Sequence, residues 1–321
     1  MSKNEFYEAL EKNDKDKLKK IEKSDLHNHS ARGANRKYFE KKYNVKFPDV
    51  PLMHSIEEMD DWYDSNIGMY CDGSNGFKER IKSLFIQANE DNIKVFSPSF
   101  CFGMKKHFDN NFEKYIDFLK KMQQKYAPNI IFLPEISVYR NLDPVLTEKY
   151  FDECLKYDFF RSIDLIGDES LGVDMYVDLY KKAKLNNYIL KAHVGEFGDV
   201  DVIEDAIQKL DLDEINHGIN CINSDNLIKY IVDNNISLNI CPSSNIYLSR
   251  VKNYEDHPIK TLVKKGVNCT INTDDLIVFD QSVSDEYLNL YNHGVLSLDE
   301  LEQVRQNGLS YVKKIGGTKW M

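Results

Sequence analysis

Four short stretches of this chain carry side chains able to hold a metal ion and move protons. The first is LHNHS, residues 26–30, with His27 and His29 two positions apart. In an extended strand residues i and i+2 point to the same side, so both imidazoles can aim at one point. Two imidazoles on one face are a ready ligand pair. The second is KAHVGEFGD, residues 191–199, where His193 ends an apolar run and Glu196 follows three positions later. Gly195 between them permits a close backbone approach, and a carboxylic acid beside a metal site suits a proton carrier. The third is EINHGIN, residues 214–220, in which His217 closes another apolar run just before Gly218. The fourth is NCTINTDDLIVF, residues 268–279, with Asp274 and Asp275 adjacent after a buried run. Two neighbouring carboxylates are costly to hold together unless a cation or hydrogen-bond donors offset their repulsion. Each stretch also has a plainer explanation. A strand-end histidine is commonly satisfied by a hydrogen bond, His217 could serve a turn, and one aspartate could cap a helix. What those explanations leave out is the agreement of all four.

The elements that must position these residues follow from apolar periodicity. Short runs rich in β-branched residues fall at 93–96, 130–133, 163–166, 188–192, 236–240 and 267–271, with weaker ones at 24–27 and 214–217. Near-continuous apolarity over such lengths predicts strands buried on both faces, as in a parallel sheet. Helical patterns lie between them at 171–183, 202–210 and 227–232. The clearest helix is at 111–125, where Phe112, Tyr115, Ile116 and Leu119 gather on one side. Eight β–α alternations predict an α/β fold of the (β/α)8 TIM-barrel type, with an open doubly wound sheet as the alternative. The polar clusters end their strands, the edge where barrel active sites assemble. Residues 32–75 form an insertion after the first strand. Its Tyr38, Phe39, Phe47, Met53, Trp62, Tyr63, Met69 and Tyr70 suit a satellite core, a lid over a substrate pocket, or both. The expectation is one domain over 1–321, with extra helices at the termini.

Composition narrows the partners. The 321 residues are 42% hydrophobic and 29% charged, and the formal charge is −10. An acidic chain without a basic block is a poor partner for nucleic acid, although a nucleoside is not excluded. The first 20 residues lack the apolar stretch of a signal peptide, and no run approaches a membrane span. The six cysteines, Cys71, Cys101, Cys154, Cys221, Cys241 and Cys269, are scattered, which suits reduced core thiols in the cytoplasm. Cys241 reads as a buried strand-end thiol, Ser243, Ser244 and Asn245 as a helix cap or pocket rim, and His257 beside Pro258 as a helix-start residue. His54, His107 and His293 read as structural.

The motifs SDLHNH at 24–29, IDLIGDE at 163–169, HVGE at 193–196, NHG at 216–218, CPSSN at 241–245 and NTDD at 272–275 resemble, in order and spacing, the adenosine deaminase family of metal-dependent amidohydrolases. The resemblance spans residues 24–279 and is closest in the second half. It implies that His27, His29, His193 and Asp274 are ligands of one Zn2+ per chain. It implies that Glu196 donates a proton to a purine ring nitrogen, and that His217 orients and deprotonates the metal-bound water. Asp275 would contact water and ring, Gly167 would meet the purine through its backbone, and His29 would also border the substrate. Asp164 and Glu169 would support the site or a helix start. The implied reaction is hydrolytic deamination of a 6-aminopurine nucleoside to the 6-oxo product and ammonia.

Elementary chemistry agrees with that implication. Zinc can bring the pKa of a bound water to about 7, and C6 of a purine resists attack until its ring nitrogen is protonated. Four protein ligands exceed the usual three and predict a five-coordinate ion. Fe2+ or Mn2+ would suit the same ligand types. The pattern departs at Ala31, where the family carries a carboxylate that meets the ribose 5′-hydroxyl, and at Leu276, where proline is common. An alanine cannot accept that hydrogen bond, so the sugar side is read differently. Alternative readings are another metal-dependent hydrolysis, of an amide or phosphoester, or a nucleoside-binding protein on the same scaffold. The oligomeric state is left open.

Overall fold

Among the described residues nine strands form from the apolar runs: β1 (Lys23–His29), β2 (Ile93–Cys101), β3 (Ile131–Phe132), β4 (Glu135–Tyr139), β5 (Ser162–Ile166), β6 (Ile189–Val194), β7 (Glu214–His217), β8 (Ser237–Ile240) and β9 (Asn268–Ile271). A computed structural model describes residues 3–314, so the ends of the expected 1–321 unit lie outside the described residues. Eight strands follow one another around a single parallel path, β1-β2-β4-β5-β6-β7-β8-β9, and β3 pairs only with β2. The barrel closes between its first and last strands at a parallel bridge, Asn28 to Asp274, where the Asp274 N–H donates to the His27 carbonyl at 3.1 Å. The helix Leu298–Leu309 packs over this seam. Gly308 permits the contact, since a Cβ there would lie 1.8 Å from Ser24 Oγ. The expected (β/α)8 barrel is the observed fold, and helices Lys3–Glu11 and Tyr311–Lys314 are the extra terminal elements.

Inside the barrel the lower layer is polar. Lys191 on β6 is fully buried and lies 3.0 Å from Glu135 Oε2 and 3.3 Å from Glu214 Oε2. Ser162 donates to Glu135 at 2.9 Å and Asn239 to Glu214 at 2.9 Å, so the charges share hydrogen-bond partners as well as one another.

The third strand differs from expectation. The run at 130–133 yields only the two-residue β3, and the barrel position is taken by Glu135–Tyr139 after Pro134. A proline lacks the N–H that a ladder needs, so the chain breaks there and resumes one residue later. The helix expected at 171–183 is also shifted. Residues Glu169–Leu171 and Asp174–Tyr176 form 3-10 turns separated by Gly172 at φ +66°, and the α-helix runs Val177–Leu185. The helix at 111–125 is observed as Phe112–Tyr126, capped by Asn111, which accepts from the Lys114 N–H at 2.9 Å.

The insertion builds a core of its own. Phe39, Phe47, Met53, Met59, Tyr63 and Ile67 bury together against Leu248 and Ile277, Val278 and Phe279. Tyr38, Trp62 and Tyr70 pack on its edge, while Met69 is 76% exposed. Among the described residues no helix is long and apolar enough to cross a membrane.

Candidate metal and catalytic site

The C-terminal strand ends bring the polar clusters to one point. His27 and His29 leave β1, His193 leaves β6, His217 ends β7 and Asp274 follows β9. His27 and His193 have ring centroids 4.6 Å apart, and His27 and His29 4.9 Å. Asp274 Oδ1 lies 3.1 Å from His29 Nε2 and 3.5 Å from His27 Nε2. Two residues here adopt left-handed backbone, His217 at φ 62° and Asp274 at φ 57°. Non-glycine residues pay a strain cost in that region, and such outliers cluster at functional sites.

The donor set fits a metal ion. Neither ring nitrogen of buried His27 has a hydrogen-bond partner. Asp164 Oδ1 sits 3.2 Å from His193 Nδ1, which puts the ring proton on that nitrogen and leaves Nε2 a bare lone pair. That Nε2 faces His29 Nε2 at 3.2 Å. Facing imidazole nitrogens in a buried pocket call for a cation between them. Among the described residues the groups whose ligand atoms lie within 4.8 Å of one another are His27–His29–His193, His29–Asp274–Asp275 and His27–His217–Cys241–Asp274. The four expected ligands span these overlapping groups. Burial pushes the Cys241 thiol well up.

Charge is distributed unevenly around this point. Burial lowers His27 to about 4. Burial also acts on His29, but Asp274, Asp275 and Asp164 outweigh it and raise the ring to about 10. Burial opposes ionisation of Asp274, yet the adjacent His27 and His29 rings hold it well below the carboxylate range. Glu196 is driven the other way: burial first, then the charges of Asp274 and Glu169, push it well above its ordinary value. One carboxyl at this site is thus pushed toward its protonated form beside another pushed toward its ionised form.

Glu196 is fixed through its backbone by Glu169, which accepts from the N–H groups of Gly195 (2.6 Å), Glu196 (3.1 Å), Phe197 (2.9 Å) and Gly198 (3.1 Å). Gly195 sits at φ +76°, where any side chain is strained, and a Cβ there would lie 2.4 Å from Ile203 Cδ1. Gly167 ends β5 at φ +97°, and its carbonyl accepts from Arg140 Nη1 at 3.0 Å. Arg140 Nη2 also donates to the His193 carbonyl at 2.7 Å, tying the ends of β5 and β6 together. Asp275 has Oδ2 3.5 Å from Arg32 Nη1 and a buried Oδ1 without a partner. Arg32 also donates to Asp60 at 2.5 Å and lies 4.9 Å over the Tyr63 ring, so it joins the insertion to the site. The Ala31 carbonyl accepts from Arg80 at 2.8 Å.

Sequence reasoning missed Arg140 and Asn245. Asn245 was expected to cap the next helix or line the rim. It lies inside the helix Pro242–Tyr247, fully buried, with Nδ2 3.1 Å from His217 Nδ1. Its motif was visible, but nothing local distinguishes a cap from a contact made across the barrel. His257, expected at a helix start, lies two residues before the helix Ile259–Lys264, accepts from its first N–H and is also part of this network. His54, His107 and His293 lie away from it, His107 against Ser74 and His293 against Glu255.

Comparison with known proteins places these residues in context. A family model described as Adenosine deaminase matches residues 146–313, just over half of the 321. A provisionally named adenosine/adenine deaminase of Treponema pallidum (strain Nichols) is 26% identical over 281 residues, 86% of this chain and 93% of that protein. An adenosine deaminase of Clostridium acetobutylicum is 36% identical over 150 residues, 46% of this chain and 45% of the relative, so that match spans under half of either protein. In three dimensions the chain is similar to an adenine deaminase of Arthrobacter aurescens, with a TM-score of 0.75 at 18% identity, covering 89% of this chain and 92% of that one.

Proposed function

The chain belongs to the adenosine deaminase family, hydrolases acting on C–N bonds, and from that premise we propose that it deaminates a 6-aminopurine nucleoside, adenosine or a 5′- or N6-modified relative, with one zinc ion. The observation that carries the reading is the convergence of His27, His29, His193 and Asp274 beside a buried carboxyl, Glu196, that burial pushes toward its protonated form. Fe2+ or Mn2+ would suit the same donors. When bound, the ion supplies Lewis acidity that makes water a nucleophile at neutral pH.

The residues then divide the remaining work. Glu196 delivers a proton to the ring nitrogen next to C6, which makes that carbon electrophilic. Gly167 offers its backbone N–H to the purine, since its carbonyl is already engaged by Arg140. Asp275 offers the unpartnered Oδ1 to water and base. His217 and His29 border the reacting carbon. Water oxygen bonds to C6 and loses both its protons, one to the departing amino group and one to restore the Glu196 acid; the C6–N bond breaks and ammonia leaves. Arg32, Asp60 and Tyr63 make the insertion 32–75 a wall of this pocket, on the side where Ala31 supplies no carboxylate for a ribose hydroxyl. The partner is a small purine, and the cytoplasm is its compartment.

The test is turnover. Metal-replete protein incubated with adenosine, adenine and 5′- and N6-substituted adenosines should release ammonia and shift the ultraviolet spectrum with at least one of them. Conversion of none, together with activity on amides or phosphoesters, overturns the reading.

A further inference from the structure

A chain of buried hydrogen bonds runs from a backbone amide to His217, and its polarity can be followed one atom at a time. The Ile259 N–H can only donate, and it meets His257 Nδ1 at 3.1 Å. His257 Nδ1 therefore presents a lone pair, and the neutral ring carries its hydrogen on Nε2. That Nε2 lies 3.3 Å from Asn245 Oδ1, which accepts it. The other end of the same amide is then NH2, a donor, and it lies 3.1 Å from His217 Nδ1. His217 Nδ1 must accept. Its hydrogen is left on Nε2, the nitrogen that looks into the pocket, 3.8 Å from Asp274 Oδ2.

We infer that Asn245 and His257 are positioning residues that hold His217 with its proton on Nε2, so that His217 meets the attacking water as a hydrogen-bond donor. This rests on the deaminase reading above. The resemblance to the family implied that His217 both orients and deprotonates the water; the relay keeps the first role and removes the second from the resting site. As a donor, His217 orients the oxygen and stabilises negative charge developing on it. The acceptors facing the water are then the carboxylates of Asp274 and Asp275.

Three observations support the relay. Asn245, His257 and His217 are all buried, so no solvent competes for these bonds. Burial lowers His257 to about 3, which keeps its Nδ1 free to accept. The second Asn245 amide hydrogen points at Glu196 Oε1 in a longer contact of 3.5 Å. That contact gives the amide's remaining hydrogen an acceptor in Glu196 Oε1. Turning the Asn245 amide over would set its NH2 against the His257 N–H and lose that buried bond.

The test reads the tautomer directly. In metal-loaded protein labelled with 15N-histidine, the His217 signals, assigned by their loss in His217→Gln, should show Nδ1 unprotonated and Nε2 protonated. His257→Leu breaks the relay; the two His217 signals should shift toward each other, and kcat should fall about 10- to 100-fold with KM little changed. His257→Gln can still accept from Ile259 and donate to Asn245, so it should restore the wild-type signals and most of kcat. A wild-type His217 protonated on Nδ1 overturns the inference, as does a folded His257→Leu with unaltered signals. If His257→Leu does not fold, the wild-type spectrum decides. Absence of purine turnover by the wild type would sink the deaminase reading and leave the tautomer measurement standing.

Discussion

Glu169 accepts the backbone N–H of Glu196 at 3.1 Å, and one carboxylate thereby fixes the position of another. Three more amides, those of Gly195, Phe197 and Gly198, share the same acceptor. The loop carrying the proposed acid is thus held by a single side chain from beyond the end of the preceding strand, β5. A carboxylate held by several amides is a strong anion site, and its removal orphans every donor around it.

Glu169→Gln replaces an acceptor oxygen with an NH2 that opposes those amides. Stability should drop by roughly 2–4 kcal/mol, and kcat should fall further than KM rises, because Glu196 loses its position. Urea titration and steady-state kinetics on the same preparation check this. An unchanged kcat would mean that Glu196 is held by something else.

Asp164 bonds His193 Nδ1 at 3.2 Å. Groups that orient a ligating imidazole commonly contribute about 10- to 100-fold in metal affinity. Asp164→Asn should weaken zinc binding by that factor, read by competition with a chromophoric chelator. Chelation of the wild type should abolish activity, and added zinc should restore it.

Lys191 lies between Glu135 and Glu214 with no exposure. Lys191→Met leaves two buried carboxyls without their cation and should cost about 3–5 kcal/mol. Lys229→Ala, which removes the exposed pair with Asp233, should cost under about 0.5 kcal/mol. Similar denaturation midpoints for the two variants would refute the distinction.

Burial raises Glu286 to about 8, although Ser243 donates to it by its backbone N–H at 3.1 Å. A carboxyl with a folded pKa above its unfolded value favours the folded state when protonated. Its stabilising contribution is complete below the ordinary value of 4.5 and is lost as pH rises through about 8. Wild-type stability should therefore decline across this window relative to Glu286→Gln. Parallel pH profiles of unfolding for the two proteins would show that Glu286 does not titrate in that range.

The residues proposed to do chemistry were legible as candidates because they end buried strands. A polar group closing an apolar run stands out locally, and alternation along β1 sends His27 and His29 to one side whatever lies beyond. Eight such alternations were enough for the barrel, although a proline at 134 moved the third strand from 130–133 to Glu135–Tyr139. Tertiary structure alone decided the second layer. Asn245 reaches His217 across 28 positions, Arg140 reaches His193 across 53, and Glu169 reaches Gly195 across 26. Each is a polar residue whose own neighbours in sequence allow a cap, a turn or a surface position. Their roles depend on which loops the closed barrel sets side by side, and closure itself rests on Asn28 and Asp274 meeting from opposite ends of the chain. Local pattern shows where a side chain points; only the packed fold shows what it meets.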